Sequence, residues 1–141
     1  MTECAAILIH LAACFPHKHL APEPGTSAHG RFLRWTVFAS ANVYEAVLRS
    51  AYPARFTSDP QATEATRNAA VTRMGDALAV LEDAVDPFLL GDAMSLADVY
   101  IAMLFIWFRG EIDAPRLTAL TDSVRRHPAL GPIWRRHFGD R

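Results

Sequence analysis

Phe88-Leu-Leu-Gly-Asp-Ala-Met-Ser-Leu-Ala-Asp-Val-Tyr100 is the stretch whose reading decides the fold. Ser95 is placed to cap a helix by accepting from the backbone N–H of Asp98, while the Asp98 carboxylate reaches back to the N–H of Ser95, a reciprocal capping box. Asp stands where Glu or Gln is commoner. Met94 before the cap and Val99 at the fourth helical position form a hydrophobic staple that sets the angle of entry. Both capping residues read as structural. The following run, Val99-Tyr-Ile-Ala-Met-Leu-Phe-Ile-Trp-Phe108, is apolar on every face and predicts a buried central helix. It is too short for a membrane span, which needs roughly 20 apolar residues, and Asp98, Arg109, Glu111 and Asp113 bracket it.

Outward from this helix the chain reads as helices separated by proline and glycine. Glu3 to Cys14 has helical spacing with Ile7, Leu8 and Leu11 on one face, and ends before Pro16. Phe15 to Gly25, with Pro16, Pro22 and Pro24, is a linker by composition and is expected to set the first helix apart from the body. Thr26 or Ser27 caps a long helix running to about Ala51, stopped by Tyr52-Pro53. After a polar connection, Thr63 opens a helix in which Ala70, Met74, Leu78 and Leu81 recur at helical spacing, closed by Val85-Asp-Pro87. Pro115 sits in the first turn of another helix, where its missing N–H costs nothing, and Pro128 ends it. No strand pattern is present. The expected class is all-α, an antiparallel helical bundle.

With 141 residues, 51% hydrophobic and 21% charged, the chain supports one sizeable core. A net charge of −1 gives no electrostatic case for nucleic acid, which needs clustered Lys and Arg. The basic end formed by Arg125, Arg126, Arg135, Arg136 and Arg141 reads as cations opposing helix dipoles. Two cysteines build no disulfide framework and point to a reducing, cytoplasmic setting. Cys4 and Cys14, on one helix, are about 15 Å apart, beyond the roughly 7 Å a disulfide tolerates. Leu11-Ala-Ala-Cys14 superficially matches a lipoprotein cleavage site, but Glu3 without Lys or Arg, and His10 within the apolar run, argue against export.

The motifs together resemble a known family. Leu90-Gly-Asp followed by Ser95-Leu-Ala-Asp98 looks like the N-capping box of the helical C-terminal domain of glutathione S-transferases. Upstream, Thr2 to Ala12 followed by Pro16 and Leu20-Ala-Pro22 resembles the last helix of that family's thioredoxin-like domain and its linker. Arg126-His-Pro-Ala129 and the basic Trp134-Arg-Arg-His137 are similar to its closing segment and final helix. The resemblance implies a division into residues 1–24, the last helix of a largely absent thioredoxin-like domain plus linker, and 25–141, the helical domain. It implies glutathione as co-substrate, bound at the γ-glutamyl end by Glu3 and Cys4, where Cys replaces the family's Ser and is a weaker donor. It implies that Tyr44 and Trp107 line a pocket for a hydrophobic electrophile, as in bacterial members; aromatics at helical spacing are otherwise core, the reading preferred for Trp35 and Trp134.

Other chemistry is sparse. His17-Lys-His19 lacks a third ligand and second shell for a metal, so no metal is expected, and His10 reads as a core or interface residue. No phosphate loop, Cys-x-x-Cys pair or serine elbow occurs, so no catalytic residue is assigned and the chain alone is expected to be inactive. Two functions follow: the helical side of a glutathione-conjugation site completed by a thioredoxin-like domain, or a stand-alone, non-catalytic assembly module whose uncovered apolar face takes a partner or a second copy.

Overall fold

The computed structural model describes residues 2–139. Its helices are α1 (Cys4–Cys14), α2 (Ser27–Phe38), α3 (Glu45–Ala51), α4 (Thr63–Ala84), α5 (Leu96–Phe105), α6 (Pro115–Arg126) and α7 (Gly131–Phe138). Among the described residues there is no strand; one isolated bridge pairs Phe88 with Gly91 in the turn before α5. Helix α5 is the hub, as its all-round apolar surface requires. Ala97, Tyr100, Ile101, Ala102 and Leu104 are buried, and the helix packs against α1, α2 and α6. Phe32, Val43, Leu78, Leu81, Leu117, Leu120 and Val124 complete the core from the surrounding helices, and the predicted stripe Ala70, Met74, Leu78 and Leu81 of α4 is buried.

The capping box at Ser95 and Asp98 is present, and Asp98 does more than close it. Its Oδ2 accepts from the Ser95 N–H at 2.8 Å and from the Ser95 hydroxyl at 2.7 Å. Its Oδ1 accepts from the Leu89 N–H at 2.9 Å, tying the preceding turn to the helix start. The side chain is fully buried. Burial holds its pKa above the usual carboxylate value, against the lowering effect of the Leu89 and Ser95 hydrogen bonds. Met94 and Val99 both pack on the core.

The structure corrects several boundaries. α5 ends at Phe105 rather than Phe108: Trp107 and Phe108 donate to Leu104 and Phe105 at 3.1 and 3.0 Å, three-residue closures that turn the chain out of the helix. The helix expected from Ser27 to Ala51 is continuous but passes through a π-helical turn, Ala39–Tyr44, between α2 and α3. Thr26 is its cap, accepting from the His29 N–H at 3.1 Å. On α1, Ala5 is buried and Leu8 and Ile9 pack on the core, while Leu11 is exposed. The proline-rich segment does not set α1 apart. The Leu20 carbonyl accepts from the Leu96 N–H at 2.9 Å, pinning the segment to the start of α5, and α1 packs against α2 and α5. His10 is exposed rather than core. Trp35 and Trp134 are buried, as expected. Arg125 and Arg126 pair with Asp122 at 3.3 and 3.7 Å; Arg141 lies outside the described residues. No helix among the described residues is long and apolar enough to cross a membrane.

Candidate functional site

The π-turn and the early end of α5 together build a cleft. Inserting an extra residue per turn at Ala39–Tyr44 re-aims the side chains that follow it, and the turns after Phe105 carry Trp107 away from the helix axis. Tyr44 and Trp107 then line one cleft of about 490 Å³, with Val47, Leu48, Val71 and Tyr52 as further apolar wall. That size suits a small organic molecule. Arg67 and Arg109 contribute cations to the same lining, and Arg67 is held in place by the Ser50 carbonyl, to which its Nη1 donates.

Glu3 and Cys4 lie at the start of α1. Glu3 has φ 66° and ψ 107°, a left-hemisphere backbone for a residue with a side chain, and such outliers persist where the surroundings enforce them and cluster at functional sites. The Glu3 carbonyl accepts from the Ile7 N–H at 3.0 Å, but the start of the helix carries no side-chain cap, so the first-turn N–H groups point outward as donors for an anion. Cys4 and Cys14 are both free thiols.

Tyr100, which lines a groove together with Cys4, is a residue that sequence reasoning missed. It is 3% exposed, and its hydroxyl is buried with no hydrogen-bond partner among the described residues. Burial pushes its pKa up to about 12; Ser40 faces it and opposes that shift without reaching hydrogen-bond length, while Cys4, Tyr44 and Glu3 add to the rise. Cys4 and Tyr100 line one groove, and Tyr44 and Trp107 line the other cleft. A Tyr inside an apolar run carries no sequence signal beyond core packing; only its missing partner marks it.

A second groove, of about 270 Å³, lies between α1, α5, α6 and α7 and is lined by Ile7, Leu8, Val99, Met103, Ile133 and Phe138 together with Cys4 and Tyr100. Its walls are almost entirely carbon. Among the described residues, no group of three or more His, Cys, Asp or Glu side chains could hold a metal, and His17 and His19 lie exposed around a short 3₁₀ turn.

The sequence matches no protein-family model and no curated protein sequence. Solved structures do match. A glutathione transferase from Methylococcus capsulatus is similar at 26% identity and a TM-score of 0.79, over 96% of this chain and 67% of its own. A sphingomonad glutathione S-transferase, complexed with glutathione, is 26% identical with a TM-score of 0.78 over the same shares, 96% and 67%. A glutathione transferase homolog from Sulfitobacter with bound glutathione shares the fold more closely, with a TM-score of 0.86 at 20% identity, over 96% of this chain and 68% of its own. The chain shares its fold with these bacterial glutathione transferases, and it spans about two thirds of the length of the structures it matches.

Proposed function

We propose that this chain forms the helical side of a glutathione-conjugation site. The observation that carries the reading is the aromatic cleft that Tyr44 and Trp107 share; the uncapped start of α1 at Glu3 and Cys4, and the buried, unpartnered Tyr100 hydroxyl in the same groove as Cys4, support it. The first turn of α1 offers backbone donors to the γ-glutamyl carboxylate, and Tyr100 offers a neutral hydroxyl that stays protonated at physiological pH. Trp107 and Tyr44 give the electrophile an aromatic wall. Arg67 or Arg109 adds a cation beside that wall, suited to charge developing on the electrophile during addition.

The activation of the glutathione thiol has no evident group here: no described side chain combines a free base with a place in this cleft. In this reading a thioredoxin-like domain supplies it, and corresponds to the third of the relatives' length that this chain does not match. Several structural relatives hold glutathione, which supports it as the co-substrate. The test is a conjugation assay on the protein isolated from its native source, with its intact mass measured alongside. A mass larger by a thioredoxin-sized domain, with activity that falls on substitution of Trp107, supports the proposal. Turnover by the 15.6 kDa chain alone contradicts the division of labour.

A second reading rests on the carbon-lined groove between α1, α5, α6 and α7, where Ile133 is 58% exposed. Apolar surface of this kind takes a partner. Here the chain acts as a stand-alone, non-catalytic assembly module, and a native mass of 15.6 kDa without glutathione binding favours it.

A further inference from the structure

The charges around the cleft of Tyr44 and Trp107 are one-sided. Arg67 and Arg109 line it, and no Asp or Glu does. Arg67 donates through its Nη1 to the Ser50 carbonyl, and its Nε lies 3.5 Å from the carboxylate of Glu64, a residue that is 73% exposed and outside the lining. Arg109 takes part in none of the ion pairs among the described residues. The backbone that carries it is anchored next door, at Phe108. That ring lies against two positions without side chains: a Cβ on Gly110 would stand 2.5 Å from the Phe108 Cζ, and one on Gly75 of α4 would stand 3.5 Å from it. Phe108 lines a crevice that shares Val71 with the cleft, while its chain neighbours Trp107 and Arg109 line the cleft itself.

A charge that develops only during a reaction does not account for two cations here. Like charges beside one apolar cleft repel in the resting protein. A ligand that brings its own carboxylate offsets that repulsion before any chemistry, and a planar guanidinium takes a carboxylate through paired N–H donors. The rest of the lining specifies the other half of the ligand. Tyr44, Tyr52 and Trp107 offer ring faces, and the volume of about 490 Å³ suits a fused ring system. We infer that the cleft takes an aromatic carboxylate, with its rings against Tyr44 and Trp107, its carboxylate at Arg109, and Arg67 as the second cation. The inference rests on the proposed reading of this cleft as the electrophile side of a conjugation site, and it adds the charge of the molecule bound there.

The test compares binding of naphthalene carboxylate and of the corresponding neutral carboxamide to the full chain, read from the Trp107 indole resonance by NMR. The expected result at low salt is a Kd at least about ten-fold lower for the carboxylate, because charge-assisted hydrogen bonds are roughly twice as strong as neutral ones. The preference should narrow as salt rises. R109Q should lower it at least about five-fold, as expected when one charged partner is removed. R135Q, which removes a cation of α7 outside the cleft, should leave it unchanged. Arg109 is exposed, so its variant keeps the fold. Equal affinity for the two probes, or a preference that survives R109Q, would overturn the inference while the reading of the cleft stands. Failure of both probes to shift the Trp107 indole would overturn the inference and that reading together.

Discussion

Replacing Asp98 by Asn tests how the chain enters its central helix. The carboxylate accepts three hydrogen bonds, from the Leu89 N–H, the Ser95 N–H and the Ser95 hydroxyl, at 2.7–2.9 Å. An Asn side chain has one carbonyl oxygen, so at least one buried backbone N–H faces an NH₂ group and loses its acceptor. A buried donor left unsatisfied costs about 1–3 kcal/mol. Part of that is recovered because the variant no longer buries a charge. The balance depends on pH, and its sign follows from the raised pKa of Asp98. Above the ordinary carboxylate value of 3.8 the unfolded chain gives up this proton while the folded chain still holds it, so the native state binds more protons. Stability from this group is then fully present below 3.8 and declines as pH rises through the folded-state value. The Asn variant has no such decline. D98N should therefore lower the urea midpoint at every pH, with the slope m unchanged, and the gap to wild type should be larger near the ordinary carboxylate pKa than at neutral pH. An unchanged midpoint at neutral pH, or a gap that widens as pH rises, would refute the reasoning.

Three further outcomes follow from particular contacts. Glu82 on α4 accepts from the Arg116 and Leu117 N–H groups, both at 2.8 Å, and so caps α6 from another helix; E82A should cost about 1–2 kcal/mol by chemical denaturation. Y100F removes a buried hydroxyl that has no partner, so its thermal midpoint should equal or exceed wild type while binding of a glutathione derivative weakens; destabilisation beyond about 1 kcal/mol would mean the hydroxyl is satisfied after all. In a protein completed by a thioredoxin-like domain, as proposed, W107A should reduce kcat/KM at least ten-fold, about 1.4 kcal/mol, for an apolar electrophile and less for a small polar one; equal losses for both would remove Trp107 from the pocket wall.

The parts of the fold that were legible are those written in neighbouring residues. Ser95 and Asp98 are three apart, and their mutual hydrogen bonds need nothing distant. The α4 stripe is likewise a matter of local period. What escaped depends on contacts across the fold. The Leu89 N–H bond to Asp98 spans nine residues, and the Glu82 cap on α6 spans more than thirty. The π-turn at Ala39–Tyr44 preserves the apolar pattern of an ordinary helix while shifting its register, so nothing in composition announces it. The apolar run to Phe108 hid the end of α5, because Trp107 and Phe108 stay half-buried against the core after leaving the helix. His10 read as a core or interface residue, and α1 turns Ala5, Leu8 and Ile9 to the core and His10 to solvent. The candidate site was legible only through resemblance, which named Glu3, Cys4, Tyr44 and Trp107. Tyr100 is distinguished by an unmet hydrogen bond that only three-dimensional placement reveals.

In the proposed function, the start of α1 and the Tyr44–Trp107 cleft serve one ligand. An amide and indole NMR titration of the chain with an S-alkylglutathione bearing an apolar group tests it most directly. Weak, saturable shifts are expected at the Cys4 to Ala6 amides and at the Trp107 indole, with the same apparent affinity, together with loss of the indole shift when the alkyl group is omitted. Shifts confined to the carbon-lined groove around Val99, Met103 and Ile133, or different affinities at α1 and Trp107, would contradict a shared site.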